Sequence, residues 1–216
     1  KDEFLDLYLL RSECMPKVAY SEEERQQIRK DLICTALELM AEQGIQHTTV
    51  EQIYKKVGIS RTFFYSFFPT KEDLVIEALY YQQPKIIAYV NQLMSDPALT
   101  WHEAMNRFIY SCCNGAKSGF AVMSVDEQQM LFHRLSEESY GMFRKKQAVL
   151  FGKILECFGI EPCKERVDLF INLCLTIVLI HRSVPERLPF FVPEAAEETT
   201  RFQIDAVVNH LEKLRA

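Results

Sequence analysis

The chain has 216 residues, of which 48% are apolar and 25% charged, and its formal charge is −5. That length supports one or two domains with a buried core, and that composition excludes collagen-like, low-complexity and disordered chains. The acidic balance provides no global positive field, so binding to nucleic acid requires a local basic surface. Because apolar residues recur at helical spacing and only 7 residues are Gly, the sequence predicts an all-α fold.

The cysteines and the apolar runs set the expected location of the protein. Seven cysteines form an odd set with no CxxC pair and no repeated metal-ligand spacing, which argues against a disulfide framework and against a metal site. We interpret them as mostly buried thiols of a cytoplasmic protein. The longest apolar stretch, around residues 170–180, is too short to span a bilayer, so no membrane partner is predicted. Residues 1–14 receive no function.

The elements are predicted from apolar residues at three- and four-residue spacing, bounded by Ser or Thr caps and by Gly or Pro stops. Ser21, Ser60 and Thr70 are predicted caps, and Thr48 or Thr49 caps a helix between the first two. In chain order, the predicted helices span residues 22–43, 49–57, 60–67, 71–94 with a break at Pro84, 100–116, 126–158, 164–182 and 194–214, with an extended proline-containing loop at 183–193.

Two of these helices, 49–57 and 60–67, are short and are separated by a turn at Gly58. This layout is typical of a helix-turn-helix, whose second helix presents its amino-terminal residues to the major groove of DNA. The spacing alone also fits helices that are only structural. From residue 43 to residue 71, four Lys or Arg residues stand against Glu51 alone, and four minus one leaves a local charge of +3. We interpret Lys55 and Lys56 as part of this field.

The run TTVEQIYKKVGISRTFFYSFFPTKEDLV, residues 48–75, resembles the DNA-binding segment of the tetracycline-repressor (TetR) family of transcription regulators. The resemblance covers about residues 22–78. It implies an N-terminal extension at 1–20, a helix-turn-helix DNA-binding domain at 21–75, and a helical effector-binding and dimerisation domain at 76–216. The matching positions are Gly44, Thr49, Val50, Ile53, Val57, Gly58, Ser60, Tyr65, Phe67, Phe68, Lys71 and Leu74.

The same resemblance implies which residues contact DNA. Arg61 and Thr62 occupy positions that the family uses for base edges, and an Arg there suits a bidentate contact to guanine. Tyr65 and Lys71 occupy positions of phosphate contacts. Phe63 departs from the small or hydroxylated residue usual there, so it either contacts a thymine methyl or packs on a neighbouring helix. The predicted DNA-binding set is Thr49, Arg61, Thr62, Phe63, Tyr65, Phe67 and Lys71.

The region after residue 75 is rich in aromatic and Met side chains, most of which we expect to be ordinary core. The resemblance implies that some of them line a cavity for a small hydrophobic or aromatic effector. The predicted lining residues are Trp101, Phe108, Met130, Phe132 and Phe143, and the candidate polar groups are His102, Asn106, Gln129 and His133.

We therefore predict a homodimeric, ligand-responsive repressor that binds a palindromic double-stranded DNA operator and is released by its effector through the helix that starts at Lys71. The predicted dimer interface is a four-helix bundle of the helices at 164–182 and 194–214. No nucleophile, metal or nucleotide motif supports catalysis, so no enzyme and no cofactor are predicted. Two interpretations remain open: a helical ligand-binding or enzymatic dimer with a purely structural helix-turn-helix, and an interaction module.

Overall fold

The computed structural model describes residues 20–113, 120–187 and 192–215. Every regular element in those ranges is helical, as predicted. All of the predicted extension except Tyr20 lies outside the described residues. The elements are α1 (Glu22–His47), α2 (Val50–Val57), α3 (Arg61–Phe64), α4 (Lys71–Tyr81), α5 (Gln83–Ser95), α6 (Trp101–Cys113), α7 (Val125–Phe132), α8 (Glu137–Cys157), α9 (Lys164–Arg187), a 3₁₀ turn (Pro193–Ala195) and α10 (Ala196–Glu212).

Hydroxyl side chains start each of the first four helices. Each accepts a hydrogen bond from the backbone N–H three residues further on, a contact that contributes about 1 kcal/mol. Of the two threonines that the sequence left open, Thr49 is the cap, while the Thr48 hydroxyl donates to the carbonyl of Gly44 at 2.8 Å. The four caps are Ser21, Thr49, Ser60 and Thr70.

Two glycines adopt backbone conformations that side chains disfavour. Gly44 has φ +83° and interrupts α1 before its last turn, and Gly58 has φ +80° and closes α2. A non-glycine residue in such a conformation costs about 1–3 kcal/mol. The predicted stops at both glycines are confirmed, although α1 resumes after Gly44.

Helix α3 is shorter than the helix predicted over residues 60–67. It ends at Phe64, and a tight turn follows in which the Phe67 N–H donates to the Phe64 carbonyl at 2.9 Å. Pro69 accounts for the early end, because the residue before a proline is pushed out of the helical region.

The predicted break near Pro84 separates α4 from α5 at Gln82. Pro84 lies in the first turn of α5, where its missing N–H is not needed. Gln82 is buried, and its side-chain amide exchanges two hydrogen bonds with the backbone of Ala121, at 3.0 and 2.9 Å.

The carboxy-terminal helices depart from prediction in two places. The region predicted as one helix from residue 126 is two helices, because Ser136 caps a new start at α8. The predicted loop at 183–193 is wrong in its first part: α9 continues through Pro185 to residue 187. A proline removes one helical hydrogen bond, which disfavours a helix without forbidding it. Residues 114–116 of the predicted sixth helix and residues 188–191 of the loop lie outside the described ranges.

The described residues form two apolar clusters. One is centred on α1 to α4, includes Leu32 and Phe64, and also takes in Leu131 of α7 and Phe143 of α8. The other, around Phe158 and Phe170, joins α5, α6, α8, α9 and α10. Helix α4 packs in the first cluster as far as Leu79, beyond the boundary at residue 75, which stays a prediction. Helices α7 and α8 therefore rest against the amino-terminal helices.

Candidate nucleic-acid interface

Helices α2 and α3 form a compact pair joined at Gly58. The N–H groups of Gly58 and Ile59 donate to the carbonyls of Lys55 and Tyr54 at 3.1 and 3.0 Å, which closes α2 before Ser60 caps α3. Phe64 is fully buried beneath α3 and anchors it to the core of the first cluster. The amino-terminal end of α3 is thus held rigidly, with its first residues outward.

Arg61 and Thr62 are both exposed in the first turn of α3. The Arg61 guanidinium lies 5.9 Å from the centre of the Tyr65 ring, and Tyr65 is itself 41% exposed. Within residues 20–113, 120–187 and 192–215, no carboxylate lies at ion-pair distance from Arg61. A guanidinium and two hydroxyls thus face outward from one surface, and Thr49 at the start of α2 is exposed as well.

Phe63 resolves the alternative that the sequence left open, because it packs within the protein. Its ring stacks on Tyr20, with centroids 4.7 Å apart and an interplanar angle of 17°, and meets Phe67 edge-on at 5.0 Å. The guanidinium of Arg25, on α1, lies 5.7 Å from the Phe63 ring and 4.9 Å from the Phe67 ring. Phe63 and Phe67 are therefore half-buried supports of α3, which corrects their expected placement as free DNA contacts.

Lys71 also differs from the expectation of a free ammonium. Its Nζ donates to the carbonyl of Ile45 at 2.6 Å and so ties the start of α4 to the last turn of α1. Burial lowers the pKa of this half-buried ammonium. One of its three N–H donors is therefore already used within the protein.

Other cations near the interface are paired. Lys55 bonds to Glu51 at 2.6 Å, and Lys56 to Glu38 at 3.1 Å. The hydrogen bond from Lys55 lowers the pKa of the Glu51 carboxyl. Such exposed pairs contribute about 0–1 kcal/mol and dissolve readily, so both lysines remain available to a polyanion.

Residues 32–78 match the model of the bacterial regulatory proteins of the tetR family. The chain belongs to the TetR family. Over 56 residues it is 43% identical to the uncharacterized HTH-type transcriptional regulator YuxN of Bacillus subtilis, which covers 26% of this chain and 19% of that protein. Over 72 residues it is 35% identical to the HTH-type transcriptional regulator YjdC of Escherichia coli, which covers 33% of this chain and 38% of that protein. The aligned segments thus span less than half the length of either relative.

The full set of helices is similar to a solved TetR-family structure. The crystal structure of the TetR-family transcriptional regulator from Cytophaga hutchinsonii has a TM-score of 0.56 and 14% identity, over 92% of this chain and 98% of that chain. This likeness shows that the carboxy-terminal helices of our TetR-family protein share the fold. Within the described ranges, no helix has the length and apolarity required to cross a membrane.

Helix α7 contacts the amino-terminal helices through Glu127, which is only 4% exposed. One carboxylate oxygen accepts from the backbone N–H of Gln46 at 3.0 Å, and the other accepts from the N–H of Ser124 at 2.7 Å. A Cβ on Gly44 would come within 3.1 Å of the same carboxylate. Nearby, Arg134 pairs with Glu72 of α4.

Sequence reasoning did not single out Glu127. The spacing of Ser124 and Glu127 is that of a capping box, which the structure contains. That pattern identifies the start of α7, but it gives no sign that the same carboxylate also holds Gln46, 81 residues away.

The five predicted effector residues do not line one cavity. The Trp101 indole donates to the Phe158 carbonyl at 2.7 Å, and Phe108 packs on the Phe158 ring in the carboxy-terminal cluster. Phe132 instead packs on Phe143, with ring centroids 5.3 Å apart, in the amino-terminal cluster. The single predicted site is therefore wrong, because residues that share helical periodicity belong to two separate cores. Met130 is half-buried on α7.

An open groove of about 420 Å³ runs between α7 and α9. It contains one of the predicted aromatic residues, Phe132, and two of the predicted polar groups, Gln129 and His133. The remaining candidates, His102 and Asn106, bond to each other on α6. The lining residues are Val125, Gln128, Gln129, Phe132, His133 and Leu179.

Proposed function

We propose that this TetR-family protein is a homodimeric repressor that binds a palindromic DNA operator through α3 and releases it when a small apolar or aromatic molecule binds. The observation that carries the proposal is the start of α3, where Arg61 and Thr62 are exposed on a capped helix anchored by Phe64. A rigid helix with a free guanidinium at its amino-terminal end suits insertion into the major groove.

The contacts to DNA divide into two kinds. Arg61 and Thr62 read base edges, with the guanidinium donating to one guanine. Tyr65 and the exposed cap residue Thr49 donate their hydroxyls to phosphates. Lys71 keeps a role at the backbone, because its bond to Ile45 leaves two N–H donors for a phosphate.

Exposed apolar residues on the last two helices support a dimer. Phe202, on the outer face of α10, is 73% exposed, and Leu169 of α9 is 42% exposed, while Leu175 is half-buried. A large aromatic left in water on a long helix is typical of an interface with another chain. Two copies of α9 and α10 then form a four-helix bundle that sets the spacing of the two α3 helices.

Helix α7 connects effector binding to DNA binding. We place the effector in the groove between α7 and α9, where Phe132 and His133 supply an apolar and a polar contact. A ligand there displaces α7, and Glu127 passes that displacement to the backbone at Gln46 and to the neighbouring contact between Lys71 and Ile45. The two α3 helices then lose their matched spacing, which lowers operator affinity.

Selection of DNA from a randomised duplex pool by the purified protein tests this function, together with a gel shift on the DNA that flanks its own gene. We expect a palindromic sequence to emerge and to recur in the flanking DNA. Binding without sequence preference, or no binding, would instead favour a helical ligand-binding or enzymatic dimer whose helix-turn-helix is structural.

A further inference from the structure

Arg25 lies beside the recognition helix but outside the set of residues that the sequence predicts to contact DNA. It sits in the first turns of α1, where its guanidinium faces the rings of Phe63 and Phe67 at 5.7 and 4.9 Å. Tyr20 covers Phe63 by stacking at 4.7 Å. Two aromatic rings therefore fix the position of this cation next to α3.

Arg25 is not neutralised by the acidic start of its own helix. Glu24 accepts from the Ser21 amide as part of the cap, and Glu22 accepts from the side chain of Gln26. In the parts of the chain that the structure describes, no carboxylate lies at ion-pair distance from Arg25. Its positive charge is therefore held in place by rings alone, and its N–H donors are not taken up by a carboxylate.

Arg29, one turn further along α1, is an internal comparison. Its guanidinium also lies over an aromatic ring, Phe68, at 4.9 Å. It differs in pairing with Glu77 at 3.3 Å, so its charge is compensated within the protein. Two arginines with the same ring contact thus differ in whether an anion is already bound.

We infer that Arg25 is a phosphate-binding residue of the DNA interface, positioned by Tyr20, Phe63 and Phe67. The inference rests on the proposed DNA-binding function. An arginine fork is suited to a phosphate, and ring contacts reduce the freedom it loses on binding. In this arrangement the unusual Phe63 does not read a base: it supports the cation that anchors α3 against the DNA backbone.

The test compares Arg25→Gln with Arg29→Gln, which removes the same charge from the same helix. Each variant is titrated, over a series of salt concentrations, with the duplex that the wild-type protein selects from a randomised pool. We expect Arg25→Gln to weaken binding about tenfold, as for loss of one charged hydrogen bond. The slope of log affinity against log salt should fall by about 0.9, as for one lost phosphate contact. Arg29→Gln should change neither quantity appreciably.

Three results would overturn the inference: an unchanged salt slope in Arg25→Gln, a changed base preference in that variant, or an equal loss in Arg29→Gln. The first would make Arg25 a structural support, the second a base reader, and the third one part of a general charge field. Arg25→Lys, which keeps the charge, should retain the salt slope and confirms that any loss is not misfolding. Failure of the wild-type protein to select any duplex would count against the proposed function itself.

Discussion

The start of α3 and the contact between α7 and α1 hold their polar groups in opposite ways. On α3, Arg61 is exposed and no carboxylate of the described residues pairs with it. At the other contact, Glu127 is buried and both its oxygens accept backbone hydrogen bonds. An open group is available to a partner, whereas a satisfied buried group resists movement. A surface that binds and a contact that transmits strain therefore call for different arrangements.

The largest expected effect concerns the other open surface, the outer face of α10. Replacing Phe202 with Glu puts a charge at the centre of the proposed interface, where it would be desolvated without a partner. We expect the dimer to dissociate in sedimentation, and operator affinity to fall by about a hundredfold or more because two linked contacts become one.

Met142→Glu is the matched control, since Met142 is an exposed apolar residue on α8. It should leave the mass unchanged. A Phe202→Glu protein that sediments at dimeric mass would remove α10 from the interface. Val178→Glu is unsuitable for this purpose, because Val178 is 3% exposed within its own subunit and the change would disrupt the core.

The closed contact is tested by Glu127→Ala. The substitution leaves the buried N–H groups of Gln46 and Ser124 without acceptors, which we expect to lower the free energy of unfolding by about 2–4 kcal/mol. Gln129→Ala, on the exposed side of the same helix, should change it by less than about 0.5 kcal/mol. Equal unfolding free energies for the two variants in urea titrations would show that the contact contributes nothing.

The smallest effect separates Lys71 from the open surface. Burial lowers the pKa of Lys71 below its ordinary value of 10.5, and unfolding restores that value. In the alkaline range just below 10.5, the unfolded chain therefore binds more protons than the folded chain, so this residue's contribution to stability rises with pH. The difference in unfolding free energy between the wild type and Lys71→Met should increase as pH approaches 10.5. A flat or falling difference would place the ammonium in water.

Local signals predicted the amino-terminal helices well. The bond between Ser60 and Phe63 spans three residues, and the turn at Gly58 depends on one glycine, so both can be identified in a short stretch of sequence. The cap at Thr49 was one of two alternatives for the same reason. Here the sequence was sufficient because the deciding interactions lie within one turn of a helix.

Contacts between distant residues could not be predicted in this way. Lys71 reaches a carbonyl 26 residues away, and Gln46 is bound by a carboxylate 81 residues away. Apolar periodicity indicated that Phe108 and Phe132 face inward, but not that they face different cores. The effector residues were therefore grouped wrongly, although the groove at α7 retained Phe132, Gln129 and His133.

The most direct test of base reading by α3 compares Arg61→Ala with Tyr65→Phe on the selected duplex and on its single-base variants. Arg61→Ala should cost about 1–3 kcal/mol of binding free energy and relax the preference at one operator position. Tyr65→Phe should weaken binding to all of these duplexes about equally, since a phosphate contact carries no sequence information. An Arg61→Ala protein that loses affinity uniformly, with every base preference intact, would contradict the account by making Arg61 a backbone anchor.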